Sequence, residues 1–283
     1  MPTTKVLLIK GAERLKAAGI SEAGLNCSWL LAHLLKTDRL SMLADGGAPV
    51  PAGIAADFEK LLARKAEGEP LAYILGSQPF CGLSLKVDHR VLVPRPETEE
   101  LVGLAVDFIL KARRGGAPAI LDFGAGSGAI ALALARRFPA AAVTAAEKSR
   151  GALACAVENA RALNLAGRMK FLKVSSVNDS GGPFDLIVSN PPYIPTGVIA
   201  GLDKEVLSEP RLALDGGVDG LCVAGEIITE APAALKKGGA LLLELGDTQG
   251  PLALKLLDEK IWKERRVIKD LNGKRRFVRA VKR

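Results

Sequence analysis

Histidine and cysteine are scarce in this chain, with two and four occurrences among 283 residues. Cys27, Cys81, Cys155 and Cys222 lie far apart and form no C-x-x-C pair, so neither zinc ligation nor a disulfide framework is predicted. They read as reduced thiols, mostly core filler, and no metal site is expected. Long apolar runs are missing too. The longest, such as Ile130 to Ala135, stop far short of the roughly 20 residues that a membrane span needs. Before the charged Lys10, Glu13 and Arg14, Met1 to Ile9 hold one lysine and a short apolar patch. They lack the sustained core and cleavage site of a secretory signal, which points to a cytoplasmic protein without membrane contact.

Hydrophobic residues make up 48% and charged residues 25%, the balance of an ordinary globular protein. The length suits two domains with separate cores. A net charge of +8 favours an acidic or RNA-associated partner by steering, but only weakly. The densest basic stretch, Lys263 to Arg283, interleaves Arg265, Arg266, Arg275, Arg276 and Arg279 with Val267, Ile268, Phe277 and Val278. That alternation predicts the solvated faces of two strands. No stable nucleic-acid binding is expected, and the chain is read as a monomer.

The first seventy-odd residues read as short helices separated by Gly- and Pro-rich loops. Ser21 is placed as the cap of a segment with Leu25, Trp29 and Ala32 on one stripe, and Pro51 opens another along Ile54, Phe58, Leu61 and Lys65. From Phe80 the period changes to two: Leu83, Leu85 and Val87 alternate with polar residues before His89-Arg90 and Val91-Leu92-Val93. This predicts a hairpin turning at His89-Arg90. Pro94-Arg95-Pro96 then stiffens the chain, and the domain junction is placed there. The expected division is 1–78 as a helical bundle, 79–95 as a β-hairpin linker and 96–283 as the catalytic domain.

Beyond the junction, strands at Ala119–Phe123, Ala142–Ala146, Lys170–Val174, Phe184–Ser189 and Ala240–Leu245 alternate with helical patterns. This is the sequence of a parallel α/β sheet. Two last strands, Arg266–Lys269 and Arg275–Val281, meet through Asn272-Gly273 and add an antiparallel element.

Two strand-end loops carry the chemistry. After the first strand comes Gly124-Ala125-Gly126-Ser127-Gly128, whose glycines allow a tight turn and close approach of backbone to a ligand at a helix N-terminus. Glu147, at the end of the second strand, can accept hydrogen bonds from both ribose hydroxyls of an adenosine cofactor. After the fourth strand comes Asn190-Pro191-Pro192-Tyr193. If the sheet reverses after its third strand, both loops open on one crevice. An amide nitrogen is a poor nucleophile because its lone pair is delocalised. The Asn190 side-chain oxygen and the Pro191 carbonyl could each accept one of its N–H bonds, turning the lone pair toward a methyl donor. Proline suits the position, having no N–H to compete, and Tyr193 can pack its ring on a flat target group. No strong base is required.

The Asn190–Tyr193 loop with the Gly124–Gly128 loop upstream resembles the amino-group methyltransferases. Gly68-Glu69-Pro70-Leu71-Ala72-Tyr73, Val91 to Glu99, Gly128 to Ala135, and Glu209-Pro210 followed by Ala213 to Gly217 are together similar to the bacterial peptide chain release factor N5-glutamine methyltransferase family. The resemblance implies a class I methyltransferase fold, Rossmann-like, with a mostly parallel seven-stranded sheet, behind a small helical domain that grips the release factor. It implies S-adenosylmethionine as donor and the glutamine of the Gly-Gly-Gln motif in class 1 release factors as acceptor. By the same resemblance Gly124, Ala125, Gly126, Ser127, Gly128, Glu147, Ser176 and Asn190 contact the cofactor, while Asn190, Pro191, Pro192 and Tyr193 hold the substrate. Two departures stand out. Glu147 replaces the family's usual aspartate, and Ser175-Ser176 occupies the place of an acidic residue followed by a larger side chain against the adenine. Two other readings share the catalytic loop: a glutamine methyltransferase for a large-subunit ribosomal protein, and an adenine-N6 nucleic-acid methyltransferase. The second would need a recognition domain or basic arm that the chain does not display.

Overall fold

The computed structural model describes residues 1–112 and 116–283. It divides into two compact units, Met1–Ser77 with Leu202–Ser208, and Gln78–Gly201 with Glu209–Arg283.

The first unit holds helices α1 (Thr4–Ala17), α2 (Ala23–Leu35), α3 (Arg39–Ala44), α4 (Ala52–Ala66) and α5 (Leu71–Leu75), with the later α9 (Lys204–Leu207). Leu15, Cys27, Leu30, Leu31, Phe58 and Leu62 form its core. In α2 the buried stripe is therefore not Leu25–Trp29–Ala32, because Leu25 and Trp29 face outward. Nor does Ser21 cap it: Glu22 takes the N-cap place in a left-handed conformation, with no side-chain cap. A helix apolar on most sides admits more than one stripe, and packing selects among them. Lys65 is fully buried, and its ammonium meets the Glu205 carboxylate and the Glu69 carbonyl. At Gly68 a Cβ would lie 2.5 Å from the Lys204 Cβ, which explains the glycine before Glu69-Pro70.

The second unit begins with a two-stranded hairpin, β1 (Ser77–Phe80) and β2 (Leu83–Lys86). The predicted strand around Leu83–Val87 is present, but its partner precedes it. Cys81 and Gly82 both adopt positive φ and make the turn. At the expected turn Arg90 instead wraps its guanidinium onto Asp88 and Glu158, and Val91–Val93 adopt no strand.

Then follow α6 (Pro96–Lys111), β3 (Ala119–Phe123), α7 (Ala129–Arg137), β4 (Ala142–Glu147), α8 (Arg150–Ala162), β5 (Met169–Lys173), β6 (Phe184–Ser189), α10 (Arg211–Leu214), α11 (Cys222–Ala234), β7 (Leu235–Glu244), α12 (Gly250–Leu256), β8 (Trp262–Ile268) and β9 (Phe277–Lys282). The seven-stranded sheet has the order β5-β4-β3-β6-β7-β9-β8, with β9 antiparallel to both of its neighbours and the other pairs parallel. In β6 every residue is buried. Leu186 and Val188 join the core under α6 and α7, while Phe184 and Ile187 join the one under α11 and α12. Two faces covered by helices make this a class I methyltransferase sandwich. The last two strands turn through Asp270–Lys274 rather than through a two-residue Asn-Gly corner. The Asp270 side chain accepts from the Lys274 amide and the Arg276 guanidinium.

Candidate active site

Because β3 and β6 are parallel neighbours, paired from Ile120–Leu186 to Asp122–Val188, the loops leaving them emerge side by side. The Ser189 hydroxyl donates to the Phe123 carbonyl at 2.6 Å, tying the two strand ends together. A Cβ built on Gly124 would lie 3.9 Å from the Ser189 oxygen. The two loops thus lie side by side, as the expected reversal of the sheet requires.

The glycine loop is preassembled by its own unit. Gly124, Gly126 and Gly128 all have positive φ, which a side chain would strain. The Gly124 and Ala125 amides donate to the Ala146 carbonyl at 2.8 and 3.0 Å, and the Gly126 amide donates to the Glu147 carboxylate at 2.9 Å. The other Glu147 oxygen accepts from the Ser149 amide at 2.7 Å. Each oxygen keeps acceptor capacity beyond these bonds. The glycines differ in purpose. Around a Cβ at Gly126 there is nothing within 4 Å, whereas one at Gly128 would meet Ala156 and Leu132 at 3.1 Å. Gly126 leaves the backbone open to a ligand; Gly128 lets α8 pack close. The Ser127 hydroxyl is buried and has no hydrogen-bond partner among the described residues.

Two residues outside the predicted set support this loop. Asp122 is fully buried and accepts from the Ala131 amide in the first turn of α7 at 2.9 Å, which anchors the helix start on β3. Its other oxygen is unpartnered, and burial pushes its carboxyl up to about 7, with Glu147 adding repulsion. Asn159 of α8 donates to the Ser127 and Lys86 carbonyls at 2.9 and 3.0 Å and accepts from the Lys86 amide at 2.7 Å. A lone acid before a glycine loop and an asparagine inside a helix were the available signals.

The proline loop is held from behind. Ile194 pairs with Asp215, its amide donating to the Leu214 carbonyl at 3.0 Å while its carbonyl accepts from the Gly216 amide at 2.9 Å. Gln249 donates to the Tyr193 carbonyl at 2.8 Å. A Cβ on Gly216 would stand 2.7 Å from the Pro192 carbonyl oxygen, and one on Gly220 2.2 Å from that of Tyr193. Gly216 and Gly220 thus let this loop lie flat against them, while Gly217 makes room for Cys222. Arg95 pairs with the buried Glu209, which also accepts from the Val93 amide at 3.3 Å. These contacts join motifs more than a hundred residues apart.

Asn190 is half-buried, and its amide nitrogen donates to the Thr98 hydroxyl at 3.1 Å. Burial raises the Tyr193 phenol further, and Glu244 adds to the shift. It stays neutral at physiological pH.

The chain is 42% identical over 274 residues to the release factor glutamine methyltransferase of Deinococcus radiodurans, covering 97% of this chain and 96% of that one. It belongs to the release factor glutamine methyltransferase family. The Geobacter sulfurreducens member is 41% identical over 262 residues, with 92% and 90% of the two chains covered. The PrmC N-terminal domain family matches residues 7–76 and the Methyltransferase small domain family matches 109–217. A Thermus thermophilus 16S rRNA N2 G1207 methyltransferase, solved in complex with AdoMet and guanosine, is 25% identical over 73% of this chain and 50% of its own, with a TM-score of 0.52. The hMettl16 catalytic domain shares the fold at a TM-score of 0.57 and 16% identity, over 82% and 81% of the two chains.

In this family member the structure gathers Gly124–Gly128, Glu147 and Asn190–Tyr193 at one edge of the sheet. Ser176 stands apart from them chemically. Its hydroxyl donates to Glu230 of α11 at 2.8 Å and accepts from the Asn178 amide at 3.1 Å. Among the described residues no group of His, Cys, Asp or Glu is arranged to hold a metal ion. Among the same residues no helix is long and apolar enough to cross a membrane.

Proposed function

We propose that the protein transfers the methyl group of S-adenosylmethionine to the side-chain amide nitrogen of the glutamine in the Gly-Gly-Gln motif of class 1 release factors. The observation that carries the reading is the Asn190 carboxamide. Its NH₂ end is engaged by Thr98, so its oxygen is the end left to accept from a substrate.

The residues at the glycine loop fit the donor. Gly126 leaves open backbone, the buried Ser127 hydroxyl is unpartnered, and Glu147 retains lone pairs at the ribose position. When bound there, S-adenosylmethionine supplies an electrophilic methyl on a sulfonium. The Asn190 oxygen and the Pro191 carbonyl each take one N–H of the target amide, which orients its lone pair and stabilises positive charge as it grows on nitrogen. Pro191 and Pro192 keep the carbonyl direction from relaxing. The neutral Tyr193 ring lies on the flat amide group. The nitrogen becomes acidic once alkylated and gives its proton to a carbonyl or to water, so no dedicated base is needed. Residues 1–78 are read as the part that holds the release factor.

Mass spectrometry of release factor incubated with the protein and S-adenosylmethionine tests this. The expected result is one added methyl on the loop glutamine and none with Asn190→Ala. Methylation of ribosomal protein but not of release factor would overturn the substrate; equal modification by the variant would remove Asn190 from the mechanism.

A further inference from the structure

Thr98 enters the reaction as derived so far only through its contact with Asn190, and Glu244 not at all, yet both are almost fully buried beside it, at 4% and 1% exposure. Thr98 sits in the first turn of α6, opened by Pro96. Glu244 ends β7, one residue beyond the Leu243–Ser189 pairing, which sets it next to the start of the Asn190 loop. The Thr98 hydroxyl accepts from the Asn190 amide at 3.1 Å, and it favours the ionised form of the Glu244 carboxyl beside it. One Glu244 oxygen has no hydrogen-bond partner among the described residues.

We infer that Glu244, acting through the Thr98 hydroxyl, fixes which end of the Asn190 carboxamide faces the substrate. Both are positioning residues for methyl transfer, and the inference rests on the reading of Asn190 as the substrate acceptor. The argument is a count of protons. An ionised carboxylate can only accept, and a hydroxyl has one hydrogen to give. With that hydrogen directed to Glu244, Thr98 offers Asn190 nothing but lone pairs. The carboxamide must then turn its NH₂ inward and its oxygen outward, the only orientation that accepts from a glutamine N–H. Without the carboxylate the hydroxyl is free to donate to the Asn190 oxygen. The flipped carboxamide would present donors to donors.

The same chain makes the device sensitive to protonation. Glu97 and Glu100 of α6 face Glu244 with like charge, Arg276 faces it with opposite charge, and the Tyr193 phenol lies close by. Burial leads these causes and pushes the Glu244 carboxyl up to about 7. A protonated Glu244 can donate to Thr98 and release the constraint, so turnover rises as pH passes upward through that region.

The test is a set of variants assayed for methyl transfer to release factor. Thr98→Val keeps the shape and removes the hydroxyl. It should lower kcat about tenfold to a hundredfold, the scale of a misoriented reacting group, with the KM for S-adenosylmethionine unchanged. Thr98→Ser should restore most of the rate. In an Asn190→Ala background Thr98→Val should cost nothing further, because there is no carboxamide left to orient. Glu244→Gln should flatten the rise of kcat with pH. Equal losses from Thr98→Val in both backgrounds, full activity of that variant, or an unchanged pH rise in Glu244→Gln would overturn the inference. Hydrogen exchange of the Asn190 side-chain amide, assigned by its disappearance in Asn190→Ala, reads the relay without turnover. It should quicken in Thr98→Val, and no change sinks the relay. A parent protein that leaves release factor unmethylated sinks the functional reading instead.

Discussion

The two loops at the edge of the sheet solve opposite problems with opposite backbones. Gly124–Gly128 needs freedom: positive φ at alternate residues, and an open face at Gly126 where a ligand can meet the main chain. Asn190–Tyr193 needs fixity, and takes it from two prolines, a backing strand-like segment at Leu214–Gly217 and the Gln249 side chain. A site that binds a donor tolerates adjustment. A site that must aim a lone pair at a methyl group does not, because misorientation falls directly on the rate.

The contrast breaks most simply at Asn190. If the proline loop aims the nucleophile, Asn190→Ala lowers single-turnover methyl transfer by roughly 10²–10³-fold, as for loss of one preorganised polar group at a reacting centre. Thermal stability and the fold should hardly change. A variant that retains turnover would mean that the Pro191 carbonyl alone suffices.

Next in size is the support behind the prolines. Gly216→Ala would place a methyl 2.7 Å from the Pro192 and Gly220 carbonyl oxygens and 2.8 Å from the Tyr193 Cα. All of these are backbone atoms, so no side chain can swing away. Overpacking of this kind costs about 1–3 kcal/mol. Activity should fall more than stability does, since the displaced segment is the loop proposed to hold the substrate amide. Unfolding midpoints beside kcat for the same preparation would separate the two, and a variant with normal kcat would show that the loop position is not limiting.

The glycine loop offers a comparison within itself. Gly128→Ala combines a φ of +83° with contacts of 3.1 Å to Ala156 and Leu132, and should destabilise the protein by roughly 1–3 kcal/mol. Gly126→Ala meets nothing within 4 Å and bears only the left-handed backbone penalty of about 1–2 kcal/mol. Yet Gly126→Ala should weaken S-adenosylmethionine binding more, as it covers the open face. Calorimetric titration of the donor against both variants decides it; the reverse order would make Gly126 an ordinary turn.

Both loops were legible in the sequence because glycine and proline carry their backbone meaning locally. Helix–strand alternation pointed to a parallel sheet, while the neighbourhood of the two loop-bearing strands was only a condition, which the sheet order meets. What was not legible is the scaffolding. Thr98 reaches Asn190 across 92 positions and Gln249 reaches Tyr193 across 56. No spacing rule connects such residues, and only the assembled sheet does. Glu244 did leave a trace, as a carboxylate closing an otherwise apolar strand, and so did Asp122 ahead of the glycines. The hairpin was misplaced for a related reason. Ser77–Phe80 shows no alternation, so its partner strand appeared to need the Val91–Val93 run.

The smallest effect comes from Asp122, where the glycine loop stores a buried acid. Desolvation raises its carboxyl to about 7 in the folded protein, while in the unfolded chain it titrates in the ordinary range near 4. Between those values the folded state holds a proton that the unfolded state has lost. Stability is therefore present at low pH and declines as pH rises through the window, by at most ~1.4 kcal/mol per pH unit for one such group. Glu244 is shifted in the same direction, so the parent's decline is shared. Asp122→Asn keeps an acceptor for the Ala131 amide and removes the titration. Urea unfolding at about pH 5 and about pH 8 should show a shallower loss in the variant than in the parent. Parallel losses would mean that Asp122 titrates as an exposed carboxylate does, and that the unpartnered oxygen behind the glycine loop is solvated; a shallower loss would show that the folded protein holds a neutral acid behind the glycine loop in the window between those two values.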